Sequence, residues 1–447
     1  MSHLEATWWK PPSLKQPSAA GSRVATDSGG SVAFWSLVAF TAILLLSPQA
    51  WLPALKVVRI AFLAAGLAMA AHVAERTIRR QPITPMSPEI GIVLMLVAWA
   101  VLTLPLSIWP GGSVRVLTDN YLKAVAFFWL LGTIITSTER LRLLAWTLVL
   151  CSIPLALTGI YNYLSGDVLS TGVRGFYRIE GYVGEGGSGL TGNPNDLALM
   201  LNLIVPLAGV LVFISRGVWR LVALGAMLIA IAAIVLTFSR AGFMTLAASF
   251  VMFLAVLARR KAPGAAFGLL LLAVCVPPML PQGYVERLST ITNIEADATG
   301  SAQGRWRDIQ AAVEVVAKNP VIGVGIGQDI LAMNAQRGDD WTQVHNAYLQ
   351  YAVDLGVPGV LLFAWLHLLC YRTARAVEKR SAREPAHRDL TLLAAGVQVS
   401  LVAFFVAAMF HPIAYQFYFF SIGGLAVALR NIWHAEHVLV PAAGSAS

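Results

Sequence analysis

His345 and Asn346 stand near the head of VHNAYLQYAVDLGVPG (residues 344–359), a stretch that turns aliphatic at once. Asp354 follows inside the apolar run, then Gly356, Pro358 and Gly359. Histidine is the side chain whose unperturbed pKa, about 6.5, lets it give or take a proton near neutrality. At the helical rise Asp354 lies about 14 Å further along. An acid in so apolar a setting either serves function or pairs with a neighbour. The glycines and Pro358 free local carbonyls, so a structural role at a kink competes with a chemical one. Position alone leaves His345 as a general base or as an interfacial histidine with a satisfied hydrogen bond.

Cations that could hold an anion lie elsewhere in the chain. Arg240, in VLTFSRAGFMTL, reads either as an anchor whose head snorkels to water or as an anion clamp. Arg305, in SAQGRWRDIQ, carries a guanidinium that matches phosphate in a bidentate way, with Arg307 as its neighbour and competitor. Arg174 and Arg178, in VRGFYRIEG, add positive charge on the same side. TGNPND (residues 191–196) places Asn193 and Asn195 at a turn and helix start, with sugar or phosphate binding as the second reading. EADA (residues 295–298) is a poor metal motif, and GVGIG (residues 323–327) lacks the Lys-Ser/Thr of a phosphate loop. No metal site is expected.

The elements that must position these residues are membrane helices. The 447 residues are 57% hydrophobic and 12% charged, with a mean hydropathy of +0.68. A soluble chain carries roughly 25% charged residues. With about 20 apolar residues needed per span, twelve spans are expected: 32–52, 54–74, 89–108, 119–136, 143–163, 196–215, 219–238, 241–258, 264–281, 345–371, 390–410 and 413–430. Residues 1–31 read as a polar, disordered cytoplasmic tail and 431–447 as a second cytoplasmic tail. The loops on one side hold 20 of the 32 Lys and Arg, which places both termini in the cytoplasm. The net charge of +9 is spread through these loops, so it is a topology signal and no nucleic-acid patch. Cys151, Cys275 and Cys370 stand singly in apolar runs, which argues against disulfides. Two outer segments exceed tight turns, residues 164–195 and 282–344. In the second, Trp306, Ile309, Val313 and Val316 recur at helical spacing, predicting an amphipathic helix in a small cap.

The pattern His345-Asn346, nine residues, Gly356, two residues, Gly359 resembles the signature of the O-antigen ligase (WaaL) and O-antigen polymerase (Wzy) superfamily. TGNPNDLALML, TFSRAGF and GRWRDIQAAVEVVAKNPVIGVGIG are similar to further blocks of it in the right order, over about residues 150–370. Trp306 directly follows Arg305, whereas that block usually places Trp four residues after its Arg, so Arg305 and Arg307 both stay open. The resemblance implies an all-α polytopic glycosyltransferase of the GT-C class in a Gram-negative inner membrane, with a helical periplasmic loop domain and the active site facing the periplasm. Its donor would be a glycan on undecaprenyl diphosphate. His345 would be the base, Arg240 and Arg305 would hold the diphosphate, and Arg174, Arg178, Asn193, Asn195 and Asn346 would contact diphosphate or glycan. Gly356 and Gly359 would be structural. The implied reaction inverts the anomeric centre and uses no cofactor or divalent ion. Lipid A–core is the favoured acceptor. Another repeat unit would make the chain a polymerase, and a protein Ser/Thr an O-oligosaccharyltransferase. A lipid-linked glycan transporter is the alternative from another class, although inverted repeats are not evident.

Overall fold

The structure is a computed structural model and describes residues 31–50, 52, 54–166, 169–170, 177–178, 193–261, 263–266, 268, 270, 280, 283–289, 291, 300–338 and 341–438. Helices dominate. α1 (Val32–Leu46) packs on α2 (Ile60–Ile78), and α3 (Pro88–Thr103) starts from Ser87, whose hydroxyl accepts from the Ile90 N–H at 3.3 Å. α4 (Pro110–Val116) continues through a π-helical turn, Leu117–Tyr121, into α5 (Leu122–Ile134). α6 (Thr138–Ser165) is capped by Ser137. A two-residue antiparallel ladder pairs Leu169 with Arg178. α7 (Pro194–Ile214), α8 (Gly217–Leu236) and α9 (Arg240–Arg259) follow. α10 (Ser301–Lys318) and α11 (Asp329–Arg337) precede α12 (Ala347–Ser381), α13 (Arg388–Ala407) and α14 (Phe417–Val438).

Among the described residues, seven helices are long and apolar enough to cross a membrane: Pro88–Leu106, Thr138–Ser165, Pro194–Ile214, Gly217–Leu236, Arg240–Arg259, Ala347–Ser381 and Pro385–Ala407. Each coincides with an expected span. α1, with 15 residues, is shorter than the expected 32–52. The span expected at 54–74 is broken at Arg59, whose backbone is left-handed (φ 50°), and α2 runs on to Ile78 instead. The span expected at 119–136 is regular α-helix only over the 13 residues of α5, because the π turn absorbs its start. The span expected at 413–430 begins later, at Phe417. Most of 264–281 lies outside the described residues, as does Cys275. α7 and α13 pack against each other and are each 83% buried over their apolar window, which makes them the centre of the bundle.

The amphipathic helix expected in the outer segment is present as α10, but its buried stripe is Asp308, Ala311, Ala312 and Val315. Trp306 and Val313, expected inward, are more than half exposed. Two alanines allow closer approach to α12 than the bulky row would, and an outward Trp suits a membrane–water interface.

α12 is broken in mid-course, and the break docks the outer segment. Gly356 has φ 70° and ψ −174°, a region that is essentially glycine-only. Pro358 has no N–H to offer the Asp354 carbonyl; Gly325 N–H supplies it at 2.9 Å. Val357 N–H turns outward to the Pro320 carbonyl at 2.7 Å, and the Val353 carbonyl it leaves takes Val324 N–H at 2.9 Å. The Leu355 carbonyl accepts from Trp99 Nε1 at 2.8 Å. The carbonyls of Val353, Asp354 and Leu355 and the N–H of Val357 are therefore all paired, as a buried site in a membrane protein demands. Apart from Trp99, the partners come from NPVIGVGIG (residues 319–327), so this glycine run is a docking loop. A side chain on Gly356 would strike the Val321 carbonyl, and one on Gly323 would strike that of Asp354. Asp354 completes the joint: its carboxylate accepts from Gly327 N–H at 2.8 Å and Gln328 N–H at 3.1 Å, just ahead of α11. Asp354 thus fills a structural position at the kink. Gly359 is buried in the turn that follows.

Gly356→Ala is expected to lower stability by at least about 1–3 kcal/mol, the cost of the backbone conformation alone. An unchanged unfolding midpoint of the purified variant in detergent would rule out this account of the kink.

Candidate functional site

His345 lies immediately before α12 and is fixed from several sides. Asn346 is the N-cap, its side-chain oxygen accepting from the N–H groups of Tyr348 (3.0 Å) and Leu349 (3.1 Å). Val344 N–H donates to Asp329 at 3.1 Å, and Ala347 N–H to the Ala408 carbonyl at 2.7 Å. Burial raises the pKa of Asp329, with Val344 N–H opposing the rise. The docked loop carries α10 against α12, and Asp308 of α10 faces the histidine: Nδ1 is 3.4 Å from Oδ2. The contact is an ion-pair approach and no well-angled hydrogen bond. Asp308 is also paired with Arg337, whose guanidinium reaches Thr342 as well. The acid is buried, while a third of the histidine side chain is exposed (34%), so the ring keeps an open side.

Arg305 lies one helical turn before Asp308 and is half-buried, whereas Arg307 is exposed. Arg305 is within electrostatic reach of His411, which precedes α14, and so is His345. His411 is buried, with Nδ1 at 2.8 Å from the Ala407 carbonyl and Nε2 at 3.2 Å from that of Asn195. Burial, reinforced by the neighbouring Arg305 charge, lowers its pKa to about 4. A neutral ring has one N–H and can serve only one of those carbonyls.

Asn195 leads to the other cation. Its side-chain oxygen accepts from the Ser239 hydroxyl at 2.7 Å, and Ser239 in turn caps α9 by accepting from Gly242 N–H at 3.1 Å. Phe238, just before, is buried with φ 49°, a left-handed turn that costs a non-glycine residue about 1–2 kcal/mol. This turn sets Arg240 at the first position of α9, where its guanidinium donates to the Ser301 hydroxyl at 3.4 Å, at the start of α10. Asn193 caps α7 through Asn195 N–H at 2.8 Å. Asp196, in the first turn of α7, is within electrostatic reach of His345.

The structure therefore brings His345, Arg305, Arg240 and Asn195 to one region. Asn193 and Asn346 use their side-chain oxygens as helix caps. Arg174 lies outside the described residues, and of Arg178 only the backbone is described. Among the described residues no group of three His, Cys, Asp or Glu could hold a metal ion. Two residues escaped the sequence reading. Asp308 lies in GRWRDIQ three residues after Arg305, off the apolar row of Trp306, Ile309, Val313 and Val316, and nothing local marks it. His411 sits in a His-Pro step between two expected spans, and only its contact with a residue far back in the chain marks it.

Residues 225–364 match the family model described as O-antigen ligase. The match is consistent with a member of the O-antigen ligase/polymerase superfamily. The match runs from within α8 to just past the kink of α12, so it takes in Arg240, Arg305, Asp308, His345 and the docking loop. Asn193, Asn195 and His411 lie outside it. No curated protein matches the chain.

Neutral burial of His411 has a consequence for stability. With a folded pKa of about 4 and an unfolded value of 6.5, the unfolded chain takes up the proton first on acidification. Stability is thus unaffected by this residue above pH 6.5 and falls between pH 6.5 and 4, by on the order of 3 kcal/mol in total. Unfolding midpoints measured across this window should flatten in His411→Gln relative to the parent; parallel curves would refute the assignment.

Proposed function

We propose that the protein is a membrane glycosyltransferase that moves an O-antigen glycan from undecaprenyl diphosphate to the lipid A–core oligosaccharide. The observation that carries this reading is the His345–Asp308 pair, with Arg305 on the same outer helix and Arg240 at that helix's start. Members of the matched superfamily are membrane glycosyltransferase-like ligases and polymerases. The reading places the chain in the GT-C class, with twelve spans in a Gram-negative inner membrane and both termini cytoplasmic. Spans 1–9 occupy residues 32–281, the periplasmic domain 282–344, and the last three spans 345–430.

A sugar hydroxyl is a poor nucleophile at neutral pH and needs a base at the moment of attack. His345 takes its proton through the open ring nitrogen, while Asp308 orients the ring from Nδ1 and offsets the imidazolium charge that forms. The acceptor oxygen bonds to the anomeric carbon as the bond to the diphosphate oxygen breaks on the opposite face, which inverts the centre. Undecaprenyl diphosphate leaves carrying the electron pair, and Arg240 and Arg305 hold its developing charge. These guanidinium groups supply the cationic stabilisation, so the reaction proceeds without a divalent ion. Asn195 and Ser239 fix the turn that presents Arg240, and Arg174 and Arg178 add positive charge for the diphosphate and glycan.

Purified protein with undecaprenyl diphosphate-linked glycan in EDTA should glycosylate lipid A–core. His345→Ala should reduce transfer roughly 10²–10⁴-fold, and Arg305→Gln or Arg240→Gln roughly 10²–10³-fold. A lengthening ladder without lipid A–core would make the protein a polymerase, and a glycosylated Ser/Thr peptide an oligosaccharyltransferase. Lipid translocation that persists with no transfer to any acceptor would replace the enzyme reading by a transporter.

A further inference from the structure

A second polar centre occupies the other end of the bundle. On the order of 45 Å of helical rise along α12 separates His345 from Arg375, and Arg240 and Arg260 stand at opposite ends of α9. At this far end Glu378, with only 8% of its side chain exposed, is met by Arg375 at 3.1 Å, Arg260 at 3.4 Å and Arg259 at 3.9 Å. Gln398 donates to it at 2.9 Å. Arg260 also donates to the Thr391 carbonyl at 3.0 Å, but its buried Nε has no hydrogen-bond partner among the described residues. Arg388 donates to the Phe213 carbonyl at 2.9 Å, where α7 ends, and lies 3.7 Å from Asp389. Asp389 is shared with Arg142 at 3.2 Å. Five arginines thus face two carboxylates, Glu378 and Asp389. Burial lowers the pKa of Arg260; Glu378 opposes this, and the like charges of Arg259 and Arg388 add to the lowering.

Arg260 and Arg388 also line a slot of about 170 Å³ between α7, α9 and α13. Its other walls are apolar, among them Val210, Phe253, Val256, Ala395 and Val399. A mouth with arginine in excess of carboxylate, set on an apolar throat, is complementary to one chemistry: an amphiphile with an anionic head. Inorganic phosphate would leave the throat unfilled, and a zwitterionic lipid would leave the arginine surplus in place. We infer that this slot binds an anionic glycerophospholipid, its phosphodiester between Arg260 and Arg388 and an acyl chain in the slot. Guanidinium groups pair with phosphodiester oxygens in the required geometry, and basic pockets between membrane helices suit such headgroups. The loops at this end carry the positive excess, so the lipid belongs to the cytoplasmic leaflet. It would fasten together the ends of α7, α9 and α13, the first two of which carry Asn195 and Arg240 at their opposite ends. The site is independent of the transfer chemistry, and its test does not use that reaction.

Full-length protein in detergent would be titrated with phosphatidylglycerol, phosphatidylcholine of the same chains, or inorganic phosphate. Native mass spectrometry would read binding, and the unfolding midpoint would read stabilisation. Phosphatidylglycerol should bind and raise the midpoint while the other two do not. Arg388→Gln should weaken binding about fivefold, the weight of one arginine at an anionic surface. Ala395→Phe, which fills the throat, should abolish binding. Equal shifts with phosphatidylcholine, a full shift with phosphate alone, or unaltered binding in Arg388→Gln would each overturn the assignment. Ala395→Phe that folds and binds as the parent does would overturn it too; if that variant does not fold, Arg388→Gln decides.

Discussion

A helix broken inside a membrane bundle must find partners for the backbone groups that the break releases. In α12 the break at Gly356 and Pro358 releases carbonyls at Val353 and Asp354 and redirects the N–H of Val357. Residues 319–327 meet this need strand-fashion, with Asp354 anchoring the loop's last N–H groups from the side. Leaving these groups unpaired would cost several kcal/mol each in a lipid setting, so loop and kink form together or not at all. This exchange determines where α10 lies, and therefore that Asp308 and Arg305 face the region of His345.

The same region is assembled from helix beginnings. α7, α9, α10 and α12 all start there, at Pro194, Arg240, Ser301 and Ala347. Three of these starts are capped by their own side chains, Asn193, Ser239 and Asn346. Helix N-termini carry partial positive charge, which adds to the two arginines and makes the region suited to an anionic group. The left-handed turn at Phe238 is strain located at the residue that aims Ser239 and Arg240. Histidines play two different parts here: His345 stays partly open beside an acid, whereas His411 is sealed among carbonyls and links Asn195 to the end of α13.

The opposite end of the bundle has a different electrostatic character. There the charges are carried by side chains in ion pairs around Glu378 and Asp389, with arginine in excess. α7 and α9 run between the two ends, so an interaction that fastens one end constrains the geometry of the other.

The sequence by itself determined the seven segments that, among the described residues, form helices long and apolar enough to cross a membrane, but not the regularity of the other expected spans. Apolar runs of span length declare themselves through composition, and a run holding Gly356, Pro358 and Gly359 announces a kink because glycine is needed where backbones meet. Asn193, read at a turn and helix start, caps α7 through a neighbour two residues on, a contact that local sequence can specify. The tertiary structure alone decided the pairings. Asp308 meets His345 because a loop docks into a helix break, and His411 meets Asn195 from 216 residues further along the chain. The buried stripe of α10 likewise followed the partner surface and not the bulkiest residues, since close approach to α12 favoured alanine over Trp306. Periodicity records what a segment can bury; which face it does bury depends on a neighbour that the local sequence does not contain.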